Sequence, residues 1–223
     1  MLDAMVIISF SIFILIAIQL SNGYDFTCEW YPAKWRALGE LKNCYGRQIS
    51  ILNPKTIIES VNGDKDSTYD DIEGFWIENE VVNYVPEKVT TFLPNIKAFG
   101  IDNCGLKIIT KDDLKPFTKL IRFEVHRNEL QYLESDLFTY NKELKFVTVF
   151  DNNLMVVGDA ILKPLPELTQ TQFEIRCLQR LCISRSCVVG MQKQIHDHCQ
   201  SEQVIIDFKK RIQELEDNCL NNV

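Results

Sequence analysis

A 24-residue spacing, kept without insertion or deletion from Ile72 to Leu181, is the strongest constraint on how this chain folds. Aligned at that spacing, three apolar columns appear: Ile72, Ile96, Leu120, Leu144, Leu168; then Phe75, Phe99, Phe123, Val147, Thr171; then Ile77, Ile101, Val125, Val149, Phe173. Two more read Val82, Leu106, Leu130, Leu154, Leu178 and Val85, Ile109, Leu133, Val157, Leu181. A single unit of this length cannot bury its own apolar side, so units in register must stack and share one core. Between the last two columns stand Glu80, Cys104, Asn128, Asn152 and Arg176. An inward asparagine amide there satisfies backbone groups of the turn after each strand, which would otherwise be buried unpaired. A thiol does this more weakly, and Glu80 and Arg176 mark end rungs that face water or a cap.

The columns resemble the LxxLxLxxNxLxxL pattern of leucine-rich repeats. That resemblance implies an α/β solenoid: a short horseshoe with a parallel sheet, disulfide-stapled N- and C-terminal caps and a C-terminal helix. The expected organisation is a signal peptide over 1–23, an N-terminal cap over 24–71, repeats over 72–181, a C-terminal cap over 182–200 and an amphipathic helical tail over 201–223.

Ala4 to Leu20 is a nearly unbroken apolar run followed by the small residues Ser21, Asn22 and Gly23, the layout of a cleaved secretory signal. No Lys or Arg precedes the run, so an uncleaved anchor is the alternative, although the run is shorter than the roughly 20 residues of a membrane span. Removing Asp3 with the leader changes the net charge from −7 to −6. An acidic surface without a basic stripe excludes nucleic acid as the expected partner and argues against docking on anionic lipid. All eight cysteines follow the leader, which fits an oxidising, extracellular compartment.

In the first cap, Cys28 and Cys44 flank Trp30, Tyr31, Trp35, Leu38 and Leu41, and a disulfide between them would hold that cluster together. Ile49 and Ile51 alternate with polar neighbours as a first strand would, ended by Pro54. In the second cap, Cys177, Cys182, Cys187 and Cys199 crowd together; the favoured pairing is Cys182 with Cys199 and Cys177 with Cys187, although sequence alone does not settle connectivity. His196, His198 and Cys199 invite a zinc reading, set aside because the two histidines would point about 200° apart on a helix. Beyond Cys199, Ile205, Phe208, Ile212, Leu215 and Cys219 follow helical spacing, either as a short coiled coil or as a helix folded back on the domain. With Cys104 as a buried free thiol, Cys219 is left over. It is the candidate for a bridge to a second chain, giving a homo- or heterodimer.

Along each strand the residues between the buried columns point to the concave side. Of these, Trp76, Asp102, Arg122, His126, Arg127, Phe146 and Phe150 form the candidate ligand-binding set. Aromatic residues beside Arg and His have the composition of a protein-binding patch; covering of Trp76 by the first cap is the bland alternative. Leu93, Phe117 and Leu165, with Asn141 in the gap, and Leu114, Phe138 and Leu162 are expected to form core on the convex side. Three His and no GxSxG, HExxH or glycine-rich phosphate loop give an enzyme reading nothing to build on, and no cofactor or metal is called for.

Asn43-Cys44 through Ser60-Val61-Asn62-Gly63, Ile72-Glu73-Gly74-Phe75-Trp76-Ile77 and Leu181-Cys182-Ile183 resemble secreted leucine-rich-repeat proteins of dipteran insects, flies and midges. The resemblance implies a small horseshoe that binds other proteins and has no catalytic activity. A more distant likeness to mosquito leucine-rich-repeat immune proteins implies a role in extracellular recognition, with cysteines and a helical C-terminus joining partner chains. The tail here is much shorter than theirs. The alternative is a structural or matrix protein that self-associates through the tail.

Overall fold

A computed structural model describes residues 23–36, 38–63, 68–175, 178–198 and 210. In chain order the strands are β1 (Gly23–Trp35), β2 (Gly39–Arg47), β3 (Ser50–Ile51), β4 (Ile57–Asn62), β5 (Gly74–Glu78), β6 (Val81–Val82), β7 (Ala98–Asp102), β8 (Arg122–His126), β9 (Tyr132–Leu133), β10 (Phe146–Val149), β11 (Val156–Val157), β12 (Gln170–Ile175) and β13 (Leu178–Cys182). Among the described residues the α-helices of a turn or more are few: α1 (Val89–Phe92), α2 (Lys111–Leu114) and α3 (Arg185–His198). Nine strands form one open, mixed sheet in the order β13-β12-β10-β8-β7-β5-β2-β1-β4.

The sequence spacing sets the register of the middle of this sheet. Gly74 pairs with Ala98, Ala98 with Arg122, Arg122 with Phe146 and Phe146 with Gln170, every step parallel and 24 residues long. Phenylalanine therefore falls on phenylalanine: Phe26 stacks on Phe75 at 5.5 Å, Phe75 on Phe99 at 5.5 Å and Phe99 on Phe123 at 5.8 Å. From the return segments, Phe117 and Phe138 meet Phe99 and Phe123 edge-on. Asn141 fills its gap in the apolar set by donating from Nδ2 to the carbonyls of Leu114 and Phe117.

After each strand the chain turns through a left-handed residue, Asn79, Asn103, Arg127 and Asp151, with φ between 49° and 59°. Asn and Asp tolerate that region better than other side chains do. Asn128 spans the turn behind the strands. Its Oδ1 accepts from the amides of Cys104 and Leu106, and its Nδ2 donates to the carbonyls of Ile101 and His126. Glu80, an end rung by sequence, does the acceptor half of this work toward the cap, taking the amides of Gln48 and Ile49 on its two oxygens. Cys104 is buried and free, and burial pushes its thiol up to about 11, so it stays protonated at neutral pH.

Thr171 occupies the phenylalanine column in β12; it is fully buried and its hydroxyl has no partner. Thr171→Val keeps the shape and removes the stranded hydroxyl, so it is expected to raise the unfolding free energy by about 1 kcal/mol. A urea midpoint that falls instead would contradict this.

The two ends differ from the sequence expectation. The first cap is built chiefly from β1, β2 and β4 in the main sheet, whereas Ile51 lies in a separate two-stranded ladder with β6. Cys28 and Cys44 are joined as expected. At the other end β13 runs antiparallel to β12, with Gln172 opposite Leu181 and Thr171 opposite Cys182. Residues directly opposite share a face, so the reversal sends Cys182 inward and leaves Leu181, expected in the core, 53% exposed. Cys182 bonds to Cys187, not to Cys199, and Cys187 is therefore not the partner of Cys177. The physical reason is local: α3 begins three residues after Cys182 and its first turn brings Cys187 back against the strand end. Cys177, Cys199, Cys219, the tail seam and residues 1–22 of the expected leader lie outside the described residues. No helix among the described residues is long and apolar enough to cross a membrane.

Candidate functional site

Alternate side chains of β5, β7, β8 and β10 put Trp76, Asp102, Arg122, His126 and Phe146 on the side of the main sheet away from the phenylalanine stack. Phe150 and the turn residue Arg127, just past the strand ends, join them through His126 and Asp102. This front face is much more closely packed than the sequence suggests. Asp102, Arg122 and His126, expected at the surface, are all less than one-tenth exposed. Trp76, Phe146 and Phe150 are partly exposed, and Arg127 is exposed.

Burial of the polar three follows from pairing. Arg127 donates from Nε to Asp102 Oδ1 at 2.8 Å and from Nη2 to both Asp102 Oδ2 and Glu78 Oε1. Arg122 forms an ion pair with Glu124, two positions along the same strand face. Glu124 also faces His126, whose Nε2 lies 3.4 Å from Oε2. Burial alone would raise the Glu124 carboxyl, but the His126 hydrogen bond and the Arg122 charge outweigh it and hold the group below its usual range. Aromatic rings flank both Arg122 and His126: Arg122 lies over Phe146 at 5.2 Å, and the His126 ring stacks on Phe150 at 4.3 Å. His126 Nδ1 is buried without a partner.

The β1–β2 hairpin completes the packing. It rises beside β5 and bends over the front face, where Trp35, Leu41 and Ala98 form a small second core against Trp76. Trp35 meets Trp76 edge to face at 5.4 Å and 72°, and its indole N–H donates to Asn43 Oδ1. At the tip, the Arg36 carbonyl accepts from Arg122 Nη1 at 2.9 Å, a contact across 86 residues of sequence. Two glycines make room for this. A Cβ on Gly74 would sit 1.5 Å from Asn43 Oδ1, and one on Gly100 would sit 2.0 Å from the Trp76 ring.

The hairpin thus brings to the front face residues that the repeat columns do not contain, above all Tyr31, Trp35 and Tyr45. The signal was present in the alternation Tyr31, Ala33, Trp35 along β1 and Asn43, Tyr45 along β2. Tyr45 donates to Glu78 Oε2 at 2.8 Å; burial and that bond push its phenol up to about 12, so it remains a donor. Between the hairpin and the strands lies a cleft of about 410 Å³ lined by both Trp35 and Trp76. No protein-family model matches the chain, and no curated protein matches it.

Proposed function

We propose that the chain is a secreted leucine-rich-repeat solenoid whose concave surface, the front face, binds a protein ligand. The observation that carries this reading is the placement of partly exposed Phe146 and Phe150 against Arg122 and His126 on the same sheet face as partly exposed Trp76 and exposed Arg127. Aromatic and arginine side chains held rigidly from behind are the usual anchors of protein interfaces. Here the rigidity has named sources: His126 under Phe150, Arg122 over Phe146 and Asp102 on Arg127. Secretion is supported by the apolar leader and by two disulfides among the described residues. The membership in dipteran secreted repeat proteins rests on the resemblance of the cap and repeat stretches.

Capture of proteins from extracellular fluid on immobilised wild-type chain tests the reading. The double variant Phe146→Ala, Phe150→Ala is expected to lose at least about tenfold of the captured ligand, since each anchor is worth roughly 2 kcal/mol. Its Tm serves as the folding control. Equal capture by wild type and by a folded double variant would remove the front face from consideration.

A further inference from the structure

The cleft under the hairpin has a chemistry of its own. Its volume of about 410 Å³ lies within the range of roughly 300–1,000 Å³ typical of small-ligand sites. Trp35 and Tyr45 are buried in its walls, while Tyr31 is 40% exposed and Trp76 is partly exposed, so these two offer ring surface to an occupant. Tyr31 leans against Tyr45 at 5.7 Å, and Trp76 rests over Gly100.

The polar groups between the rings arrive already balanced. Glu124 is paired with Arg122, and Glu78 accepts from Tyr45, Trp76 and Arg127. Lys34 and Arg36 also reach the cleft, from the exposed hairpin tip, where water screens them. An ionic ligand on the cleft floor would have to take one partner from the buried Arg122–Glu124 pair and leave the other charge stranded, at a cost of several kcal/mol. An anion at the mouth would meet Lys34 and Arg36 only through screening water. A purely apolar ligand would cover the remaining carboxylate lone pairs and guanidinium hydrogens without bonding them. A ligand with an apolar C–H face and many neutral hydroxyls avoids both penalties: the face lies on an aromatic ring, and the hydroxyls donate to carboxylate and accept from guanidinium.

We propose that this cleft binds a neutral saccharide, stacked on Tyr31 and Trp76 and hydrogen-bonded by Glu78, Glu124 and Arg122. The proposal rests on the front face being a binding face, not on the ligand there being a protein. The cleft shares Trp76 with the proposed protein-binding patch and touches Phe146 through Arg122, but Tyr31, on the hairpin, belongs to the cleft and not to that patch. The Tyr31 variants therefore report on the saccharide, and the Phe146, Phe150 double variant on the protein ligand.

The test is titration of the full secreted chain with tetrasaccharides of N-acetylglucosamine, of mannose and of glucose, read by tryptophan fluorescence and calorimetry at low and high salt. One of these probes is expected to bind with a Kd that salt leaves unchanged. Tyr31→Ala is expected to weaken it about tenfold at unchanged Tm, and Tyr31→Phe, which keeps the ring, to retain it. The proposal is overturned if none binds at millimolar concentration, or if Tyr31→Ala binds as wild type does. It is equally overturned if spermidine displaces the saccharide and binding collapses with salt, because the cleft would then be a cation site.

Discussion

Phe99→Ala is expected to lower the unfolding free energy by about 4 kcal/mol, near the middle of the range for a phenylalanine removed from a packed core. Phe99 is fully buried and touches rings on three sides: Phe75 and Phe123 stacked from the neighbouring strands and Phe117 edge-on from the return segment. Truncation removes the transfer free energy of the ring and leaves a void that neighbours on opposite sides cannot both fill, since each is itself pinned by a further ring. Urea unfolding with the disulfides intact measures the loss. A cost below about 1.5 kcal/mol would mean that the column is loosely packed, contrary to the close-packed interiors expected of a native core.

The second large effect is at a polar position. Asn128→Ala is expected to cost about 4 kcal/mol, because all four hydrogen-bonding sites of the amide are in use and the residue is buried. Two amides and two carbonyls lose their partner at once, and each buried group left unpaired costs roughly 1–3 kcal/mol unless water replaces it. Asn152 repeats the arrangement one rung on, donating to Val125 and Phe150, but is only partly buried. Asn152→Ala is accordingly expected to cost about half as much, as water can reach the abandoned groups. Hydrogen exchange at the Cys104 and Leu106 amides gives an independent reading: in Asn128→Ala both should exchange faster than the amides of β7, the strand before them. If Asn128→Ala proves no more costly than Asn152→Ala, burial is not what sets the scale.

The register of the central strands was legible because it is written in large apolar side chains at a fixed interval, and burying Phe75, Phe99 and Phe123 admits only the pairing that stacks them. The Asn column was legible for the complementary reason, that a buried turn must find partners. The hairpin over the front face was legible only as the alternative that the first cap covers Trp76, and Trp35 does pack on it edge to face. Tyr31, Trp35 and Leu41 read as a cluster within the cap, and nothing local tells a chain whether such a cluster closes on itself or on Trp76 and Ala98, with a last contact from Arg36 to Arg122 across 86 residues. The same limit applies to Arg122, Asp102 and His126: position in a strand gave their face, but their burial depends on which counter-charge stands opposite. At the far end, the bond between Cys182 and Cys187 depends on the turn at Ile183 and Ser184, where the chain leaves the strand for α3, and cysteine spacing carries no information about that direction.

The antiparallel strands at either flank also fix where this molecule has room to lengthen. β1 beside β2 and β13 beside β12 each reverse the chain, so a duplicated segment appended outside them would meet a neighbour running the wrong way. New units can enter only within the parallel block, for instance as a second copy of 98–121 spliced in after itself. Such an insertion would widen the open face by one strand, about 4.8 Å, while leaving the hairpin-to-Arg122 clasp one step out of reach.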